Sequence, residues 1–163
     1  MRILLSSVVL ALVVLWFLVL AGADEANPVL RLHITRDLRG RLEPCDCKAG
    51  VLGGFPRRAS VIAERSPDLL LDAADLIFQA SPYDHLKLRL MLELEGKLGY
   101  AAVNLGRREA EFSREDLLRT SADSPVPLIS SNLVDQEGNP VLPGHVLLEL
   151  RGHKITVVGA VTR

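Results

Sequence analysis

The sequence predicts an α/β protein built on a mainly parallel sheet with flanking helices. Short apolar runs of strand length alternate with longer segments of helical period from residue 29 onward. Successive runs end in polar loops, at Asp37, at Asp75 and at 104–109, which places charged groups at the carboxyl edge of a sheet. One run, Leu69, Leu70 and Leu71, is continuously apolar, as a strand covered on both faces would be. Alternation of this kind favours crossover connections and a parallel sheet over a sandwich of hairpins.

Residues 1–23 read as an export signal. Arg2 supplies the positive start, residues 3–20 are apolar apart from Ser6 and Ser7, and Ala21, Gly22 and Ala23 form a small-residue cleavage pattern. The apolar run approaches the about 20 residues that span a bilayer, so an uncleaved apolar helix anchoring the chain in the membrane is the alternative. Either way the expectation is a domain outside the cytoplasm, with 24–28 as a linker and 29–163 as the folded part. A formal net charge of −1 gives no reason to expect a nucleic acid polymer as partner.

Residues 29–35 alternate as a first strand, and Gly53 and Gly54 open a helix through Arg65 that Pro67 breaks. Ser81 and Pro82 start the longest helix, in which Leu86, Leu90, Leu94 and Leu98 recur on one face. Leu88 and Leu92 broaden that face, so cover is expected on both sides. Residues 100–105 form another strand, Ser113 caps a further helix, and 125–130 form a fourth strand. Residues 136–139 read as a turn, and 146–150 with 154–161 as a hairpin around Gly152. With no closing helix after that hairpin, the fold is expected to be truncated.

The two cysteines, Cys45 and Cys47, stand one residue apart. Such a pair closes a tight ring, which makes a poor structural staple, and His33, His85, His145 and His153 are too scattered to complete a metal site. An adventitious or loop-locking role is expected for the pair, with redox or metal duty as the other possibility.

The strand-end segments resemble those of the calcineurin-like metallophosphoesterases, specifically the exported 5'-nucleotidase branch. LHITRDLRGRLEP resembles the first block of that pattern, LLLDAADLI the second and YAAVNLGRREA the third, while GGFPRRASVI resembles the helix opening between them. The resemblance implies a metallophosphoesterase-like sandwich and a site for two metal ions that activate water and neutralise phosphate. Asp37 and Asp75 keep two acids of that site, and Glu109 is kept in the third block. Arg39 stands where a metal-binding His is implied, Ala74 replaces a glycine, and Arg107 and Arg108 replace Asn and His.

Arginine stays protonated and has no lone pair to donate, so it cannot ligate a cation. Three readings follow. In the first, Arg39, Arg107 and Arg108 pair with Asp37, Asp75 and Glu109 in place of the metals, and no cofactor is bound. In the second, these arginines form a cleft for a phosphate-bearing small molecule, aided by backbone donors near Gly54 and by Arg57 and Arg58, unless the last two are merely solvated. In the third, a metal-dependent phosphoesterase with two divalent ions survives through His33, Glu43, Cys45, Cys47 or Asp72. The expectation is a non-catalytic structural or anion-binding domain.

Overall fold

The computed structural model describes residues 29–162 except 48 and 49, and of residues 46–52 the backbone alone. The expected signal or anchor at 1–23 and most of the linker lie outside the described residues. Among the described residues no helix is long and apolar enough to cross a membrane.

The frame is a four-stranded parallel sheet in the order β1-β4-β5-β6, formed by β1 (Leu32–Thr35), β4 (Leu69–Asp72), β5 (Ala102–Asn104) and β6 (Leu128–Ile129). Strands added in sequence order wind in one direction, so the connecting helices gather on one face. These are α1 (Gly54–Arg65), α2 (Pro82–Leu98) and α3 (Arg114–Asp123). Leu70, Val103, Leu105 and Leu128 meet Leu88, Met91, Leu92 and Leu117 in the core on that side. Alternate residues of the same strands, among them Leu71, Ala102 and Ile129, point to the other face, where the antiparallel hairpin β7 (His145–Leu150) and β8 (His153–Val158) lies.

Local chemistry sets the element ends. Ser81 caps α2 by accepting the Asp84 N–H at 3.1 Å, and Gly99 ends it in the left-handed region at φ 85°. Ser113 caps α3 in the same way, through the Asp116 N–H. Gly54 has φ 74°, and a Cβ there would meet the Pro44 nitrogen at 2.5 Å, so only glycine fits this entry to α1.

Two expectations need correction. Residues 45–52, read as a loop, contain a short antiparallel pair, β2 (Cys45–Cys47) and β3 (Gly50–Leu52). The leucine stripe of α2 is also only half covered: Leu86 is 64 % and Leu90 43 % exposed, Leu94 and Leu98 pack partly buried against the core, and Leu88, Met91, Leu92 and Glu95 are buried. The buried side carries Leu88, Met91 and Leu92 at i, i+3 and i+4, and Arg58 of α1 meets the Glu95 that lies on the same side at 3.1 Å.

Registers align the carboxyl ends of the strands. Thr35 stands beside Asp72, Asp72 beside Val103, and Asn104 beside Ile129. The loops that follow β1, β4 and β5 therefore converge on one edge.

Candidate functional site

The three loops enclose a cleft of about 380 Å³. It is lined by Arg36, Arg39, Arg107 and Arg108 against two carboxylates, Asp37 and Asp75. The first two loops are sewn together by backbone hydrogen bonds that extend the β1–β4 pairing. The Asp37 N–H donates to the Ala74 carbonyl at 2.9 Å, the Arg39 N–H to that of Asp75 at 3.1 Å and the Gly40 N–H to that of Leu76 at 2.6 Å. To make these bonds Asp37, Arg39, Ala74 and Asp75 all take positive φ, at 61°, 49°, 102° and 60°. Four non-glycine residues in that region mark strain concentrated at one place, as functional loops often hold.

Arg39 Nε donates to Asp37 Oδ1 at 2.6 Å, with both side chains partly exposed. That hydrogen bond, with the charges of Arg39, Arg36 and Arg108, holds the Asp37 carboxyl below its ordinary range against the opposing effect of burial. Arg107 is exposed and makes no hydrogen bond or ion pair among the described residues. Among the described residues Arg108 pairs with no acid: its Nη1 donates to the Phe78 carbonyl and its guanidinium lies 5.2 Å from the Phe78 ring centre. Glu109 also departs from the expected pairing. It is buried behind the cleft, where Oε1 accepts the Ile77 N–H at 3.0 Å and Oε2 has no hydrogen bond. Burial raises its pKa, the nearby Asp75 adds to this, and the backbone N–H of Ile77 opposes it. Gly106 makes the close packing possible, since a Cβ there would lie 2.4 Å from Glu109 Oε2 and 2.6 Å from the Asp75 nitrogen.

Other residues singled out from the sequence lie elsewhere. Gly54, Arg57 and Arg58 do not line the cleft, so the amino end of α1 does not contribute to it. Cys45 is disulfide-bonded and lines a separate depression with Glu43, Tyr83 and Lys87. The side chain of Cys47 is outside the described residues. Asp72 faces the interior, where Oδ2 accepts from Thr35 Oγ1 and Oδ1 from the Ala74 N–H at 2.9 Å. Arg36, which sequence reasoning passed over, belongs to the cleft; its place one residue before Asp37 at a strand end was the available signal.

No protein-family model and no curated protein matches the chain. Solved structures do. A 5'-nucleotidase precursor from Thermus thermophilus superposes with a TM-score of 0.67 over 82 % of this chain at 23 % identity. The NAD nucleotidase of Haemophilus influenzae gives 0.64 over 82 % at 20 % identity, and a calcineurin-like phosphoesterase from Bacillus subtilis gives 0.61 over 81 % at 22 %. The fold is that of the calcineurin-like phosphoesterases. The chain spans 28 %, 26 % and 48 % of the lengths of those three proteins.

Within the calcineurin-like fold, the residues present do not suit a pair of divalent cations. Among the described residues no group of three or more His, Cys, Asp or Glu side chains is gathered for a metal. Two carboxylates supply too few donors for two such ions, and four guanidinium groups around them repel any cation. Chemically, the cleft gathers four guanidinium groups around two acids.

Proposed function

We propose that this domain binds phosphate-bearing small molecules outside the cytoplasm without hydrolysing them, its guanidinium groups standing in for metal ions. The observation that carries the reading is the lining itself, four arginines against two carboxylates at the converging strand ends. Arg39 neutralises Asp37, while Arg36 and Arg107 keep N–H forks uncommitted among the described residues, and these match phosphate oxygens. Two carboxylates among four guanidinium groups are a poor donor set for the metal ions that activate water in phosphate ester hydrolysis. The apolar residues 3–20 support export as signal or anchor.

Isothermal calorimetry on the full chain tests this. Inorganic phosphate should bind at one site, and Arg107→Ala should weaken it about tenfold or more, the usual worth of a charge-assisted hydrogen bond. Zinc or manganese should show no stoichiometric binding. Tight binding of two metals, with metal-dependent turnover of a generic phosphomonoester that Asp75→Asn abolishes, would replace this reading with an active phosphoesterase.

A further inference from the structure

Cys45 and Cys47 stand outside the arginine cleft, in a setting that gives them a chemistry of their own. Cys45 is disulfide-bonded, and Cys47 is the only other cysteine of the chain. Both positions belong to β2, which among the described residues pairs with β3 alone. A bond between them therefore joins two points of one strand and ties no element to another. Its ring spans a single intervening residue, so it restrains the unfolded chain less than a long-range disulfide would. Strand geometry also works against it. Positions two apart on a strand lie about 6.6 Å from Cα to Cα, near the upper limit of about 6.8 Å that a disulfide spans. Closing the ring strains the strand, and a strained disulfide is the more readily reduced.

The surroundings of Cys45 favour exchange. It is half-buried and lines a depression of about 510 Å³ together with Arg41, Glu43, Tyr83 and Lys87. Among the described residues this depression shares no lining with the arginine cleft. Lys87 Nζ lies 4.6 Å from the Tyr83 ring centre, and its stem passes so close to Gly40 that a Cβ there would meet Lys87 Cδ at 3.3 Å. Two cations against one acid stabilise a thiolate at Cys45 and make it a good leaving group. We infer that Cys45 and Cys47 form a two-electron thiol–disulfide exchange site that oxidises peptide dithiols. A substrate thiolate attacks Cys45 Sγ, the bond to Cys47 breaks, and Cys47 leaves as a thiolate. The substrate's second thiol loses its proton to water and attacks the substrate sulfur of the mixed disulfide, and Cys45 leaves as a thiolate beside Arg41 and Lys87. The substrate ends as a disulfide, and the two cysteines take up protons from water and hold its two electrons.

Equilibration of the full chain with an excess of reduced over oxidised glutathione, followed by alkylation and mass measurement, tests the bond. Most molecules should take up two labels, whereas a structural disulfide resists the glutathione pool. Under argon, the oxidised chain should convert close to one equivalent of a reduced dithiol peptide to its disulfide, and the double variant Cys45→Ser, Cys47→Ser should convert none. Lys87→Gln should slow alkylation of the reduced pair near neutral pH by about fivefold, the worth of one water-screened charge at contact distance. A bond that stays closed in glutathione, or a peptide left reduced by the unaltered chain, would overturn the exchange site. Alkylation of Lys87→Gln at the unaltered rate would overturn the part given to Lys87. None of these outcomes bears on phosphate binding in the cleft.

Discussion

Arg58 and Arg39 each sit among carboxyl groups, but in opposite surroundings. Arg58 is nearly buried between α1 and α2, 3.1 Å from a Glu95 that has no exposure at all. Its guanidinium stacks 4.6 Å from the Phe55 ring centre, and Asp72, Thr35 and Tyr100 complete the cluster around it. Arg39 faces Asp37 at 2.6 Å on the rim of the cleft, with 48 % and 38 % of the two side chains in water. The shorter bond is the less consequential for stability, because water and salt screen an exposed pair while a buried ion has no substitute for its partner. One arginine ties two helices together; the other sets the charge of the cleft's rim.

Removing the buried partner gives the largest expected effect. Arg58→Met keeps the packing volume and leaves two acids without a counter-charge, and should destabilise the fold by about 3–5 kcal/mol in urea denaturation. A loss under about 1 kcal/mol would erase the contrast between the two arginines.

The acid side of the same cluster makes the contrast pH-dependent. Glu95 has its pKa raised to about 9, first by burial and then by the charge of Asp72, with Arg58 opposing both. Asp72 is raised as well, chiefly by burial. Glu95 Oε1 accepts from Arg58, while its Oε2 is buried without a hydrogen-bond partner among the described residues. A raised folded pKa means that the folded state holds its proton after the unfolded chain has lost it. Stability from this group is therefore intact below the ordinary value of 4.5 and falls as pH rises towards 9, by at most about 1.4 kcal/mol per unit. Glu95→Gln should flatten that decline, as read from denaturation midpoints between pH 5 and 9. Asp37 behaves oppositely. Its lowered pKa makes its contribution present above 3.8 and lost as pH falls through the lowered value.

A smaller effect comes from the strained loops. Ala74 holds φ 102°, a region that suits glycine, so Ala74→Gly should stabilise the protein by about 1 kcal/mol despite the added freedom of the unfolded chain. Thermal unfolding measures it, and destabilisation would show that the loop carries no strain there. Smallest of all on stability is Arg39→Ala, which should leave the denaturation midpoint unchanged while weakening inorganic phosphate by about tenfold.

Much of the frame was legible because its signals are local. Gly53 and Gly54 mark the start of α1, Ser81 and Pro82 that of α2, and Ser113 that of α3, and all three helices begin where these residues place them. The convergence of Asp37, Arg39, Asp75, Arg107 and Arg108 on one edge followed from their positions at strand ends. What escaped was set by partners distant in sequence. Arg58 reads as half of an ordinary helix-surface pair with Arg57, and nothing near it announces Glu95, 37 residues away. The leucine periodicity of α2 misled for the same reason, since Leu88, Met91 and Leu92 form a second apolar stripe and distant core partners decide which stripe turns inward. The general anion preference of helix starts points Gly54 toward the cleft, but its backbone packs against Glu43 and Pro44 instead.

The three amide-to-carbonyl bonds at Asp37, Arg39 and Gly40 give the cleft a kinetic character as well as a shape. Its two walls are continuous with paired strands, so an arriving anion finds them already assembled and no ordering step delays capture. Association should then run at the pace of diffusion steered by charge, slowing with added salt, and these three loop amides should resist deuterium as stubbornly as those of the neighbouring strands.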